Sequence, residues 1–225
     1  MLLASVPGCG GANDAEPQFP ARSATEAATE PTPEKGFDPA DPAFDVIPES
    51  DAAEQRLLAR AGHRKDFRVP RSMVAGLKPG PMVHAAIVRV WNEVEPSDPR
   101  YKQLSPGQRA LFALLWADYE ILNGGFDQLW FNSSGYLAPD LAAAARRVGA
   151  REYADVFADA EALFPNGHIP RDRTTRQRLL AALDDGAVAS LDDRYAEFQY
   201  RRATALGLIL GRYVRTHLAE FVADP

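Results

Sequence analysis

The chain has 225 residues, of which 46% are hydrophobic and 25% charged, so it has enough apolar content for a packed core. Its formal net charge of −6 argues against a general affinity for DNA or RNA, which requires clustered Lys and Arg. Cys9 is the single cysteine, which excludes an intrachain disulfide and a zinc site built on cysteines. No apolar run approaches the length needed to span a bilayer.

The first residues, MLLASVPGCGG, resemble the cleavage box of bacterial lipoproteins, in which the cysteine is lipidated and becomes the first residue of the mature chain. Val6, Gly8 and Cys9 fit that pattern, whereas Pro7 departs from it. The basic segment is missing and the apolar part is short for a signal peptide. We slightly favour a cell-envelope lipoprotein anchored through Cys9 over a cytoplasmic protein with an incidental thiol.

Residues 10–50 are rich in Pro, Ala, Glu, Thr and Asp and contain few large apolar residues. Such a segment cannot bury enough surface to offset the entropy lost on ordering. We therefore predict that residues 1–50 comprise a lipoprotein-like start and a disordered tether.

Residues 51–225 are predicted to form a single compact all-α domain of about seven to eight helices. The first helix follows Asp51, a plausible cap, and residues 66–80 are irregular or contain one edge strand. The second helix has Pro81 in its first turn and ends before Pro96. The third starts with the cap and first-turn proline Ser105-Pro106 and runs to Leu122.

Five more helices complete the predicted domain. One runs from Pro139 to Gly149, and the next carries buried aromatic residues and ends at Pro165. The sixth helix lies within residues 172–186. The capping-box-like pair Ser190 and Asp193 starts the seventh. The last helix carries the apolar and ring-bearing residues Leu206, Ile209, Leu210, Tyr213, His217, Leu218 and Phe221.

The third helix has a wide apolar face. At 100° per residue, Leu111, Leu115 and Leu122 fall together with Tyr119 beside them. Asp118 lies inside this apolar arc, and a buried carboxyl must be paired, hydrogen-bonded or protonated. Glu120 falls on the polar side.

The sequence NGGFDQLWFNSSG, residues 123–135, follows this helix, and we call it the corner. Asn123-Gly124-Gly125 is a helix stop, because glycine and asparagine tolerate the left-handed conformation. The apolar spacing from Phe126 onward predicts one or two helical turns on a new heading. Asn132-Ser133-Ser134-Gly135 closes this short helix. The sharp turn folds the aromatic side chains back on the core.

LLWADYEILNGGFDQLWFNSSG, followed by AARRVGA, resembles the C-terminal domain of the bacterial DNA-mimic protein family over residues 91–164. The resemblance implies an all-helical domain without known catalysis that presents acidic side chains to a DNA-binding protein in place of DNA phosphates. The motif residues suggested as binding residues are Asp118, Glu120, Asn123, Gly124, Gly125, Phe126, Asn132, Ser133 and Gly135.

Residues 85–225 contain 16 Lys and Arg against 19 Asp and Glu, a net charge of −3. A phosphate mimic is expected to have a larger excess of acidic over basic residues. The favoured function is therefore a non-enzymatic protein-binding module that uses a helical surface near the corner, for example as an inhibitor or immunity-like partner. A true DNA mimic that sequesters a DNA-binding regulator is the alternative. We expect no direct nucleic acid binding.

Enzymatic function has less support. The four histidines, His63, His84, His168 and His217, show no metal-ligand spacing, and we predict neither metal nor cofactor. The serines of the corner lack a nucleophile elbow, and the glycine pair follows a helix rather than a strand. A small-molecule or enzymatic site on Asp118, Asn123, Asn132 and Ser133 is the second alternative.

Overall fold

The computed structural model describes residues 51–201 and 205–223, and the predicted lipoprotein-like start and tether lie outside these residues. The described residues form eight α-helices with short 3-10 segments between them, which confirms the predicted all-α class. The helices are α1 Asp51–Ala61, α2 Pro79–Glu93, α3 Pro106–Phe131, α4 Leu141–Val148, α5 Arg151–Ala162, α6 Arg173–Leu180, α7 Asp185–Tyr200 and α8 Leu206–Thr216. None of these helices is both long and apolar enough to cross a membrane.

Helix α2 lies at the centre of one half of the domain, between α1, α3 and α8. Residues 82–90 are all buried, including His84 and Arg89. Arg89 is stabilised by a two-pronged interaction with Glu93 (2.8 and 3.0 Å) and by the carbonyl oxygen of Arg64. A helix buried on every side needs such internal partners for each charged group.

Helix α3 is the central helix of the other half, where α4, α6 and α7 pack against it. Its start matches the prediction. The Ser105 hydroxyl accepts from the Gln108 amide (3.1 Å), and the Gln108 side chain accepts from the Ser105 amide (2.9 Å). This capping box satisfies amides that the first turn leaves without helical partners.

Two short strands join the ends of the described domain. β1 (Val69–Pro70) pairs in parallel with β2 (Val222–Ala223), so residues 66–80 contribute the edge strand that the sequence left open. Helix α8 ends at Thr216, so the predicted last helix was too long. Phe221 is nevertheless buried, because the chain turns back after α8 to place β2 beside β1.

Helix α2 begins at Pro79, which confirms that Pro81 lies in its first turn. Two other predicted helix starts were wrong. Helix α4 begins at Leu141 and not at Pro139, after a 3-10 segment over Ser133–Asp140. Helix α7 begins at Asp185 and not at Ser190, because Asp184 caps it by accepting from the Ala187 amide (2.7 Å). The extra turn buries Val188 in the core.

Candidate functional site

The corner is a break within α3. Gly124 has φ −162° and ψ 25°, and Gly125 has φ 76° and ψ −175°. Only Gly125 therefore has a positive φ, and its extended ψ differs from the left-handed helical conformation expected for the pair. Gly124 has an extended φ that any residue can adopt. The predicted change of heading is confirmed.

Close packing also restricts both glycines. A Cβ on Gly125 would lie 2.7 Å from a carboxylate oxygen of Asp192 on α7. The same carboxylate accepts a hydrogen bond from the Phe126 amide (2.8 Å), so it caps the second part of α3. A Cβ on Gly124 would meet the side chain of Gln128.

Glu120 is buried with 4% of its surface exposed, so its predicted position on the polar side was wrong. Its carboxylate accepts three hydrogen bonds, from Ser134 Oγ (2.5 Å), Gln128 Nε2 (2.8 Å) and Asn132 Nδ2 (2.8 Å). A helical wheel assumes a straight helix, whereas the break folds the rest of the corner over Glu120. Glu120 thus ties both halves of α3 to the turn that follows.

Asp118 has the partners that its place in the apolar arc requires. Its Oδ1 accepts from Tyr195 Oη (2.8 Å) and from the Gln199 side chain, both on α7. Burial raises the pKa of Asp118 to about 6, although both hydrogen bonds act in the opposite direction. Asp118 therefore joins α3 to α7, and the described residues place no basic group in an ion pair with it.

Arg176 on α6 is fully buried against the corner, and sequence reasoning missed it. Its guanidinium donates to the backbone carbonyls of Trp130, Asn132, Pro170 and Arg171. Burial lowers its pKa to about 10. Nothing in the local sequence distinguishes this arginine from its neighbours, because all its partners are backbone carbonyls and two of them lie 46 and 44 residues away in the sequence.

The close approach of Arg176 leaves no space for a side chain at position 135, which is occupied by glycine. A Cβ at this position would lie 2.5 Å from Nε of Arg176. The motif glycine thus allows the buried guanidinium to approach the turn after α3. The distinctive sequence of the corner is accounted for by its internal packing.

The structure divides the predicted site residues among four environments. Phe126 and Gly135 are buried, Glu120 and Asn132 share one hydrogen-bond network, and Asp118 belongs to another. The remaining members lie exposed or partly exposed outside both networks: Asn123, Gly124, Gly125 and Ser133. The structure therefore does not assemble Asp118, Asn123, Asn132 and Ser133 as one catalytic set. In the described ranges, no group of three His, Cys, Asp or Glu residues could hold a metal ion.

The outer side of α3 near the corner exposes apolar groups. Tyr119 is 50% exposed and Leu122 is 58% exposed, so their predicted burial on the apolar face was wrong. Among the described residues, this side of α3 just before the break is therefore left exposed. Trp116, one turn earlier, still contacts Tyr119 through an edge-on ring pair.

Helices α5 and α7 pack against each other and gather much of the acidic charge. Together they carry eight Asp and Glu residues and two Arg residues. The acidic residues are Glu152, Asp155, Asp159, Glu161, Asp185, Asp192, Asp193 and Glu197. We call the exposed carboxylates of these two helices the acidic face.

Basic side chains bridge the two helices at the edge of the acidic face. Arg194 of α7 lies 2.7 Å from Asp159 of α5. Arg201, just after α7, lies 3.9 Å from Glu152 and also contacts Glu197. These contacts bring Glu152 and Asp159 of α5 close to the carboxylate of Glu197 and the basic side chains on and just after α7.

These features define an all-helical domain with a long broken helix and an acidic pair of helices. The sequence profile described as DMP19-like protein matches residues 102–217, which is just over half of the chain. The chain belongs to this family of DNA mimics. No curated protein and no solved structure matches it.

The family match starts and ends later than the resemblance over residues 91–164. The matched stretch contains 14 acidic and 14 basic residues, so its net charge is zero. Within it, α5 and α7 have eight acidic against two basic residues, which leaves six acidic and twelve basic residues elsewhere. The fold therefore separates charges that are balanced along the sequence.

Proposed function

We propose that this protein is a non-enzymatic, DNA-mimic-type protein that uses its acidic face to bind the basic surface of a DNA-binding protein. The observation that carries this function is the separation of charge: α5 and α7 carry eight acidic residues against two arginines, and six of the eight, all but Glu161 and Asp192, are exposed. Membership of the DMP19-like family supports the same function. Balanced charge over the whole domain is no obstacle, because a partner contacts only one side.

The spacing along α5 supports this role. Glu152, Asp155 and Asp159 are three and four residues apart, which corresponds to about 4.5 and 6 Å along the helix axis. One strand of DNA carries a charge about every 3.4 Å of axis, so the acidic row is sparser but of similar scale. Asp155 has no ion pair within residues 51–201 and 205–223, so its charge is open to a partner.

Two arginines, Arg194 and Arg201, already contact carboxylates of the acidic face. A basic partner must compete with Arg194 and Arg201 for the carboxylates they contact. Exposed ion pairs of this kind contribute little stability, so their exchange for partner arginines costs little. Binding is then governed by many screened charge pairs and weakens steeply as salt rises.

The decisive experiment is a pull-down from the native host at low and moderate salt, using wild type, Asp155→Lys and Glu95→Lys. Glu95 is an exposed acid outside the acidic face and provides a control with the same change in charge. We expect a DNA-binding protein to be recovered by wild type and Glu95→Lys, released by salt or duplex DNA, and lost with Asp155→Lys. Equal recovery by all three proteins, or a partner unaffected by duplex DNA, would contradict this function.

A second candidate is partner binding through the exposed apolar side of α3 near the corner. Tyr119 and Leu122 favour it, because each exposes at least half of its surface. This binding would depend only modestly on salt and would be lost with Leu122→Ser. A partner retained at high salt by Asp155→Lys but lost by Leu122→Ser would favour the apolar surface.

A further inference from the structure

A basic groove of about 660 Å³ lies between the start of α3, helix α4 and the segments that precede α3 and α6. Four basic side chains line it, and they come from all of these elements: Lys102, Arg109, Arg147 and Arg171. Among the described residues that line the groove, Asp140 is the only acidic one. The residues that line the groove lie outside α5 and α7, on the elements that carry the excess of basic residues. They therefore do not belong to the acidic face.

Two of the four cations are already paired. Arg171 Nη2 lies 2.7 Å from Asp140 Oδ1, and its guanidinium stacks over the Tyr136 ring at 5.0 Å. Arg147 Nη2 lies 3.0 Å from Glu220 Oε1. These two pairs shape the wall of the groove and leave little net charge.

The other two cations are uncompensated. In the described parts of the chain, the Lys102 ammonium has neither a hydrogen bond nor an ion pair. Arg109 Nη1 donates to the Leu104 carbonyl (2.8 Å), and no carboxylate of the described residues pairs with Arg109. The groove therefore has an excess of about two positive charges, from a flexible ammonium and a fixed guanidinium.

We propose that the basic groove binds a small phosphorylated molecule. A guanidinium supplies paired donors that match phosphate oxygens, and a lysine supplies a mobile point charge. The groove volume falls in the range of small-molecule sites, roughly 300–1,000 Å³, and leaves space for an organic group beside the phosphate.

Neighbouring groups fit the same ligand. Tyr101 and Tyr136 supply flat walls beside the cations. The first-turn amides of α3 are not the binding feature, because Ser105 accepts from the Gln108 amide and Glu220 accepts from the Gly107 amide. Recognition therefore depends on the side chains of the groove.

The test is calorimetric titration of the full chain with pyrophosphate, inorganic phosphate and citrate, using wild type, Lys102→Gln, Arg109→Gln and Arg60→Gln. Arg60 is an exposed arginine on α1 that does not line the groove, so its variant removes the same charge elsewhere. We expect pyrophosphate to bind wild type. Loss of one charge-assisted contact should weaken binding about tenfold or more in each groove variant. Arg60→Gln should stay close to wild type.

Lys102→Gln keeps the test valid if Arg109→Gln perturbs the fold, because Lys102 makes no side-chain contact that the domain needs. Failure of folded wild type to bind either phosphate would overturn the proposal, as would an equal loss in Arg60→Gln. Tighter binding of citrate than of pyrophosphate would overturn the assignment to phosphate. None of these outcomes depends on the acidic face, so this test is independent of the proposed function.

Discussion

Asp118→Asn is expected to stabilise the domain at neutral pH. Asp118 Oδ1 accepts from Tyr195 (2.8 Å) and Gln199 within the contact between α3 and α7. The amide oxygen of asparagine can accept the same two hydrogen bonds. The substitution therefore keeps the shape and the donors while removing a carboxyl group that burial disfavours in its charged form.

The magnitude follows from the raised pKa of Asp118. Burial places it at about 6 in the folded protein. The unfolded value is near 3.9 and each pKa unit corresponds to about 1.36 kcal/mol, so the ionised group costs up to about 3 kcal/mol. Because the residue is partly accessible, solvent reduces this to about 1–3 kcal/mol. Well below pH 4 the group is protonated in both states and the cost is absent. The cost grows between about pH 4 and pH 6, where only the unfolded state ionises, and levels off above that range.

Urea unfolding of wild type and Asp118→Asn at pH 4.5, 5.5, 6.5 and 7.5 measures this difference. The free energy of unfolding of the variant should exceed that of wild type increasingly with pH and level off above about pH 7. Asp172→Asn is a control in which the free energy of unfolding should fall below that of wild type as the pH rises. The reason is that hydrogen bonds at the start of α6 lower the pKa of Asp172. A difference between wild type and Asp118→Asn that does not change with pH would refute the reasoning.

Three further outcomes are expected. Gly125→Val should destabilise the domain by about 1–3 kcal/mol because of its positive φ, whereas Gly124→Val, which need only displace Gln128, should cost less. Melting temperatures check the pair, and equal losses would contradict this difference. Arg176→Lys should cost about 2–4 kcal/mol in urea unfolding, because a single ammonium cannot reach four carbonyls, and an unchanged midpoint would argue against it. Expressed with its native upstream sequence, wild type should partition with membranes and Cys9→Ala should not. Recovery of both in the cytosol, with residues 1–8 intact by mass spectrometry, would oppose lipid anchoring.

The sequence by itself determined the local features of this protein. The start of α3 at Ser105 and Pro106 was predictable, because a capping box is formed by residues three positions apart. The break at Gly125 was also predictable, because the backbone conformations open to a residue depend first on the residue itself. Asp118 was recognisable as needing a partner because its apolar neighbours on the same helix are visible in the sequence.

Tertiary structure alone decided which surfaces are buried and where the charges collect. Glu120 is buried because the chain beyond the break folds over it, and Arg176 is buried because carbonyls 46 and 44 residues away in sequence accept from it. The acidic face exists only because α5 packs beside α7, while most basic residues of the matched stretch lie on other elements. Net charge is a sum over the sequence, but binding depends on the charges that share one surface, and only the fold determines which ones do.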